Sequence, residues 1–209
     1  VATVTQNILT ELGYDPRTVE LARIAGFMHD IGNVVNRIDH AQSGAVMAFR
    51  ILDKMGMEPN EDAQGIAAIG NHDEHTAYPV NALAAALILA DKSDVRRSRV
   101  RNRDVPSFDI HDRVNYSVEQ SSLKTDVESR TFTLVLTVDT GVSPVADYFE
   151  IFLERMMLCR RAAQFFGYRF GLKINGTQLM YAGGKPRRRG YICCRERGGA
   201  LLGRAAHRT

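Results

Sequence analysis

The sequence predicts a mainly α chain: a helical bundle over residues 1–106, a small α+β region of hairpin, helix and hairpin over 107–184, and a basic tail over 185–209. Three observations predict it. Apolar residues recur at helical spacing in five successive segments before Pro106. Beyond Pro106 several short runs alternate every second residue, the strand period. From Lys185 onward neither period is present.

Taken in order, Val4, Ile8, Leu9 and Leu12 make the stripe of a first helix, closed by Gly13. Asp15 caps a second, with Pro16 at its first position, running to His29. Successive helical residues point about 100° apart, so Phe27 and Met28 are expected on the core while His29 and Asp30 face another space. Gly32 just beyond lets the backbone turn sharply. A third helix starts near His40, carries Val46, Met47, Phe49, Ile51 and Leu52, and stops at Gly56. A fourth runs from about Glu61 to near Asn71. The fifth, Asn81 to about Arg97, is nearly all apolar in its middle ("ALAAALILA") and is expected to be buried. In the second half, "FDIHDRVNYSVEQ" reads as a short helix capped by Asp109, with Val114 and Val118 on one face. "SSLKTD" and "RTFTLVLTVDT" read as strands around a turn at Glu128 and Ser129, and "PVADYFEIFLERMMLCRRAAQFFG" as a long amphipathic helix. "YRFGLKI" and "TQLMYA" flank Asn175-Gly176, the strongest two-residue hairpin signal.

Composition narrows the class. The 209 residues, 44% apolar and 24% charged, are ordinary for a globular protein, and no apolar run approaches the roughly 20 residues of a spanning helix. Three cysteines, Cys159, Cys193 and Cys194, make no disulfide framework, so a reducing cytoplasm is expected. The net charge of +3 belongs to the tail. Removing its eight Lys or Arg and one acid leaves 19 basic and 23 acidic residues in 1–184. The tail, without period, fits a disordered, solvated or appended extension better than a nucleic-acid-binding arm.

Four of the six histidines fall between residues 29 and 75, each at a helix edge. His29 beside Asp30 suits a pair of metal ligands, and equally an N–H to carboxylate hydrogen bond at a helix end. The joint pattern says more. Asp91 ends a long apolar face, where a carboxylate is costly unless it meets a cation, a donor or a metal. Helix ends converging at one point would bring His29, Asp30, His40, His72 and Asp91 together. Imidazole and carboxylate ligands without thiolate suit one or two divalent ions: Mn²⁺, Fe²⁺, Mg²⁺, Co²⁺ or Zn²⁺. Downstream, "DVRRSRVRNRD" supplies Arg96, Arg97, Arg99, Arg101 and Arg103, whose forks suit phosphate, or else an exposed helix end favoured by the dipole. His75 and His111 fit no ligand pattern, His207 lies in the tail, and Met156 and Met157 read as core.

"MHDIGN", "HAQSGA", "GNHDE" and "LADKSD" together resemble the HD superfamily of metal-dependent phosphohydrolases, over roughly residues 1–105. The resemblance implies a helical bundle in which His29, Asp30 and Asp91 ligate metal, with His40 and His72 as the extra histidines of the two-metal branch. Hydroxide attack on a phosphoester is then expected, a nucleotide being the expected substrate, with Asp30 and, from its place beside Asp91, Lys92 in catalytic roles, and with Arg97 and Arg101 of the arginine run on the substrate. Two departures stand out. The family's first histidine would fall immediately before Val1: either that ligand precedes Val1 or the primary site lacks it, and the absence of an initiating Met fits the former. Asn33 stands where many relatives carry a basic residue. The competing reading is a metal-bound, non-catalytic module that senses a phosphorylated ligand. The appendage is expected to form a homodimer or to close over the substrate; neither a membrane nor a nucleic acid is the expected partner.

Overall fold

A computed structural model describes residues 1–100, 102 and 107–181; the basic tail, Arg101 and Arg103 lie outside the described residues. Five α-helices come first: α1 (Ala2–Glu11), α2 (Pro16–Met28), α3 (His40–Lys54), α4 (Pro59–Gly70) and α5 (Ala82–Lys92). The local chemistry explains their ends. Asp15 accepts hydrogen bonds from the Arg17 and Thr18 amides, and Asn81 accepts one from Ala84. Gly13 and Gly56 take positive φ just past α1 and α3, which side chains disfavour. Every residue of α5 from Leu83 to Lys92 is buried, and α5 packs against α1, α2 and α4. It ends at Lys92, five residues before the expected Arg97. Ser93 caps it, and Asp94 then draws Arg96 and Arg99 into ion pairs at 3.0 and 3.3 Å around a short 3₁₀ turn.

One expectation of facing is corrected. Phe27 is 83% exposed, because the buried face of α2 is Leu21, Ala22, Ala25 and Met28, and Phe27 lies about half a turn round from Ala25. On α3 the buried stripe is His40, Ala41, Gly44, Ala48 and Leu52, small residues that let neighbours approach, while Val46, Phe49 and Ile51 face outward. Gly32 is needed for proximity rather than for an unusual φ. A Cβ there would collide with the His40 carbonyl oxygen and sit 2.6 Å from the Gly44 amide nitrogen. This contact brings the start of α3 against the end of α2.

The second half carries α6 (Ile110–Ser117), β1 (Val118–Asp126), β2 (Thr131–Val138), α7 (Val145–Phe165), β3 (Arg169–Ile174) and β4 (Thr177–Tyr181). Asp109 caps α6 through the Asp112 amide, but Val118 already begins β1, so this strand is longer than "SSLKTD". The two hairpins join into one sheet of order β1-β2-β3-β4, in which β2 and β3 are parallel and α7 is their crossover. Asn175 and Gly176 both take positive φ (48° and 82°), as the primed hairpin turn requires. The Asn175 side chain also exchanges two hydrogen bonds with the Val138 backbone, at 2.8 and 2.9 Å. On α7 the residues Tyr148, Phe152, Met156, Cys159 and Ala163 recur at helical spacing and are buried; α7 rests on the sheet and against α5, so one apolar core runs through both halves.

Candidate metal centre

The ends of four helices meet at one place. His29 caps the C-terminus of α2 and Asp30 follows it; His40 opens α3; His72 follows α4; Asp91 lies in the last turn of α5. All five predicted ligands are brought together. Two triads have donor atoms within 4.8 Å of one another: His29, His72 and Asp91, and Asp30, His40 and His72.

The imidazoles are oriented by the backbone. Each histidine places Nδ1 on the carbonyl three residues earlier: His29 on Gly26 at 2.9 Å, His40 on Arg37 at 3.0 Å, His72 on Ile69 at 2.6 Å. A carbonyl only accepts, so Nδ1 carries the proton in each ring and Nε2 presents a lone pair to the cluster. The Nε2 atoms of His40 and His72 then stand 3.3 Å apart. Asp30 Oδ1 is 3.4 Å from the first and 3.9 Å from the second, and its Oδ2 is 3.5 Å from His29 Nε2. Asp91 Oδ1 lies 3.6 Å from His29 Nε2. These are acceptors facing acceptors, which repel unless a cation or a proton lies between them.

A proton is the poorer solution at His72. The ring is 1% exposed, and burial pushes its pKa down to about 4. Asp91 stays ionised: burial opposes this, but a proton lying between it and the His29 ring, together with the Lys92 ammonium, outweighs it and holds its carboxyl well below the usual range. The donor set therefore fits a divalent cation, with backbone carbonyls locking the rings as metal-binding histidines are commonly locked.

Around the cluster, Lys92 Nζ bonds Asp91 Oδ2 at 2.7 Å and is itself buried. Arg37 reaches to 3.9 Å from Asp30 Oδ1 and 3.4 Å from Asn33 Oδ1, with its side chain 71% exposed. Asp73 Oδ1 lies 3.9 Å from His40 Nε2. Asp30, the least buried of the five ligand candidates, also lines a cleft of about 1150 Å³ with Ile24, Phe27, Met28, Ile31 and Met55. Arg97 is placed elsewhere. Its guanidinium covers the Tyr116 ring at 4.5 Å, its Nε donates to the Tyr116 carbonyl at 2.7 Å, and its ion-pair contacts are with Glu119 and Asp139. His75 and His111 are exposed and outside the cluster. The sequence reading missed Arg37, Asp73 and Glu74. The last two were marked only by adjacency to His72 in "GNHDE", and Arg37 by nothing local.

The HD domain model matches residues 1–105. The chain belongs to the HD domain family. All five ligand candidates, and Lys92 with them, fall inside the HD match, whereas β1 to β4 and α7 lie beyond it. HD domains belong to a superfamily of metal-dependent phosphohydrolases that generally bind divalent metals, and the His/Asp cluster of this HD domain could hold one. No curated protein and no solved structure matches the chain. Among the described residues no helix is long and apolar enough to cross a membrane.

Proposed function

We propose that this HD domain protein is a phosphohydrolase that cleaves a phosphoester, of a nucleotide in the first instance, with one or two divalent ions held by His29, Asp30, His40, His72 and Asp91. The observation that carries the reading is the convergence of three Nε2 lone pairs and two carboxylates on one space, each ring locked through Nδ1. A divalent ion held there would supply Lewis acidity toward a phosphoryl oxygen and would lower the pKa of water toward neutrality.

The side chains supply the rest. Asp30, open to solvent on one side, is the ligand that an approaching phosphate meets first. Lys92 spends its ammonium on Asp91, so its part is to keep that carboxylate ionised and aimed rather than to touch the leaving group. Arg37 stands at the rim beside Asp30 with most of its side chain in solvent, where a guanidinium fork can take a phosphate oxygen. It takes over the substrate contact first assigned to Arg97, whose guanidinium is committed to Tyr116.

The uncharged Asn33 leaves this rim one cation short and favours the second reading, a metal-bound sensor of a phosphorylated ligand. One experiment separates them. Protein loaded with Mn²⁺ is incubated with nucleoside phosphates and an aryl phosphate while bound metal is measured. Turnover that disappears, together with the metal, in Asp30→Ala supports the hydrolase. Saturable nucleotide binding without phosphate release supports the sensor. Failure to retain any metal after incubation with Mn²⁺ or Fe²⁺ sinks both.

A further inference from the structure

The metal centre is not closed off by the HD domain alone. Arg155, in the middle of α7 and outside the HD match, places Nε 2.5 Å from Glu74 Oε1. Its guanidinium is steadied over the Phe152 ring at 4.7 Å. The same Glu74 oxygen is 3.9 Å from Lys92 Nζ, which holds Asp91 Oδ2 at 2.7 Å. Four charges of alternating sign thus run from the candidate ligand Asp91 through Lys92 and Glu74 to the appendage. The row is largely shielded: the Lys92 side chain is 6% exposed, and those of Glu74 and, at the outer end, Arg155 are each 24% exposed.

The distances show which pairs are made. Glu74 is in hydrogen-bonding range of Arg155 but not of Lys92, and Lys92 is in range of Asp91. Glu74 has two cations to choose between, and Arg155 takes it. If Arg155 lost its charge, the nearest cation left to Glu74 would be the Lys92 ammonium. Drawing Lys92 toward Glu74 would strip Asp91 of its partner and leave one excess negative charge beside the cluster.

We propose that Arg155 is a positioning residue of the metal centre: by holding Glu74 it keeps Lys92 on Asp91, and so lets the α+β appendage set how strongly the HD cluster binds a cation. This rests on the metal-centre reading for its consequence but not for its geometry. Both effects of removing the arginine charge, a freed Asp91 and an uncompensated carboxylate, strengthen cation binding. A merely structural role would weaken it.

The test is Mn²⁺ titration of the full chain by calorimetry, with thermal melting to confirm folding. Arg155→Met, which keeps the apolar stem, is expected to lower the Kd about tenfold, and Arg155→Lys to stay within about twofold of the parent. Glu74→Gln, which approaches from the other side, is expected to raise the Kd, and the double variant to return near the parent value. An unchanged or raised Kd in folded Arg155→Met overturns the proposal; so does a Glu74→Gln variant that binds more tightly. A second readout needs no metal. In EDTA-treated protein labelled with ¹⁵N-lysine, the Lys92 ammonium resonance is expected to shift in Arg155→Met and to recover in Arg155→Lys. No shift overturns the proposal even if the parent binds no Mn²⁺, an outcome that would separately defeat the metal reading.

Discussion

Acid should undo the metal-free protein through one ring. His72 sits 1% exposed with its pKa pushed by burial from 6.5 to about 4, so in the folded state it binds its proton later than in the unfolded chain. Between those two values the unfolded state holds more protons, and stability therefore rises with pH across the window and is lost as pH falls through it. A displacement of this size removes about 2 kcal/mol between pH 7.5 and pH 5, and about 3 kcal/mol once the pH is below 4. Asp91 does not blur the window, because its carboxyl titrates well below the usual range. The assay is urea unfolding in EDTA at several pH values, for the parent and for His72→Asn, whose amide can still donate to the Ile69 carbonyl. The parent should lose about 2 kcal/mol more than the variant on going from pH 7.5 to 5. Parallel losses in the two proteins would refute the reasoning, since they would mean that the buried ring takes up its proton as readily folded as unfolded.

Other outcomes follow from single contacts. Asp62 is buried, its Oδ1 has no hydrogen-bond partner, and burial and Asp53 push its pKa up, so the folded state disfavours its charge. Asp62→Asn should stabilise the protein at pH 7 by about 1 kcal/mol, seen as a raised Tm, and the gain should vanish below pH 3.8, where the group is protonated in both states. Gly32→Ala would force a Cβ into the His40 carbonyl and the Gly44 amide. It should cost about 3 kcal/mol in chemical denaturation and weaken Mn²⁺ binding as well, because His40 moves with its helix. Asn175→Ala removes two hydrogen bonds to Val138 and puts a Cβ residue with no side-chain acceptor at positive φ. It should cost about 2 kcal/mol while leaving metal affinity unchanged, a useful contrast to Gly32→Ala.

What could be read from sequence was what neighbours in sequence decide. The Asp15 cap and the Asn175-Gly176 turn act within a few residues, so their chemistry is legible in the sequence itself, whereas α4 begins at Pro59, two residues before the expected Glu61. The convergence of the five ligand candidates was legible because each lies at or beside a helix end, and ends meet where helices pack. Phe27 was misplaced because periodicity says which residues share a face but not which face meets a neighbour; small Ala22 and Ala25 won that contact over the larger ring. The parallel pairing of β2 with β3 and the reach of Arg155 to Glu74 depend on how a 21-residue helix crosses the sheet, and no local pattern marks either.

His72 belongs to both triads, and that has a stoichiometric consequence. A carboxylate has two oxygens and can serve two ions at once. An imidazole nitrogen has one lone pair, and the other nitrogen of His72 is engaged by the Ile69 carbonyl. The two triads are thus rivals for a single donor. Within these five residues an ion seated with His29 and Asp91 takes His72 away from Asp30 and His40, and the reverse. Added metal should accordingly partition between two overlapping seats, the first equivalent bound far more tightly than the second, so that occupancy becomes a competition inside the protein before it is a competition between metals in solution.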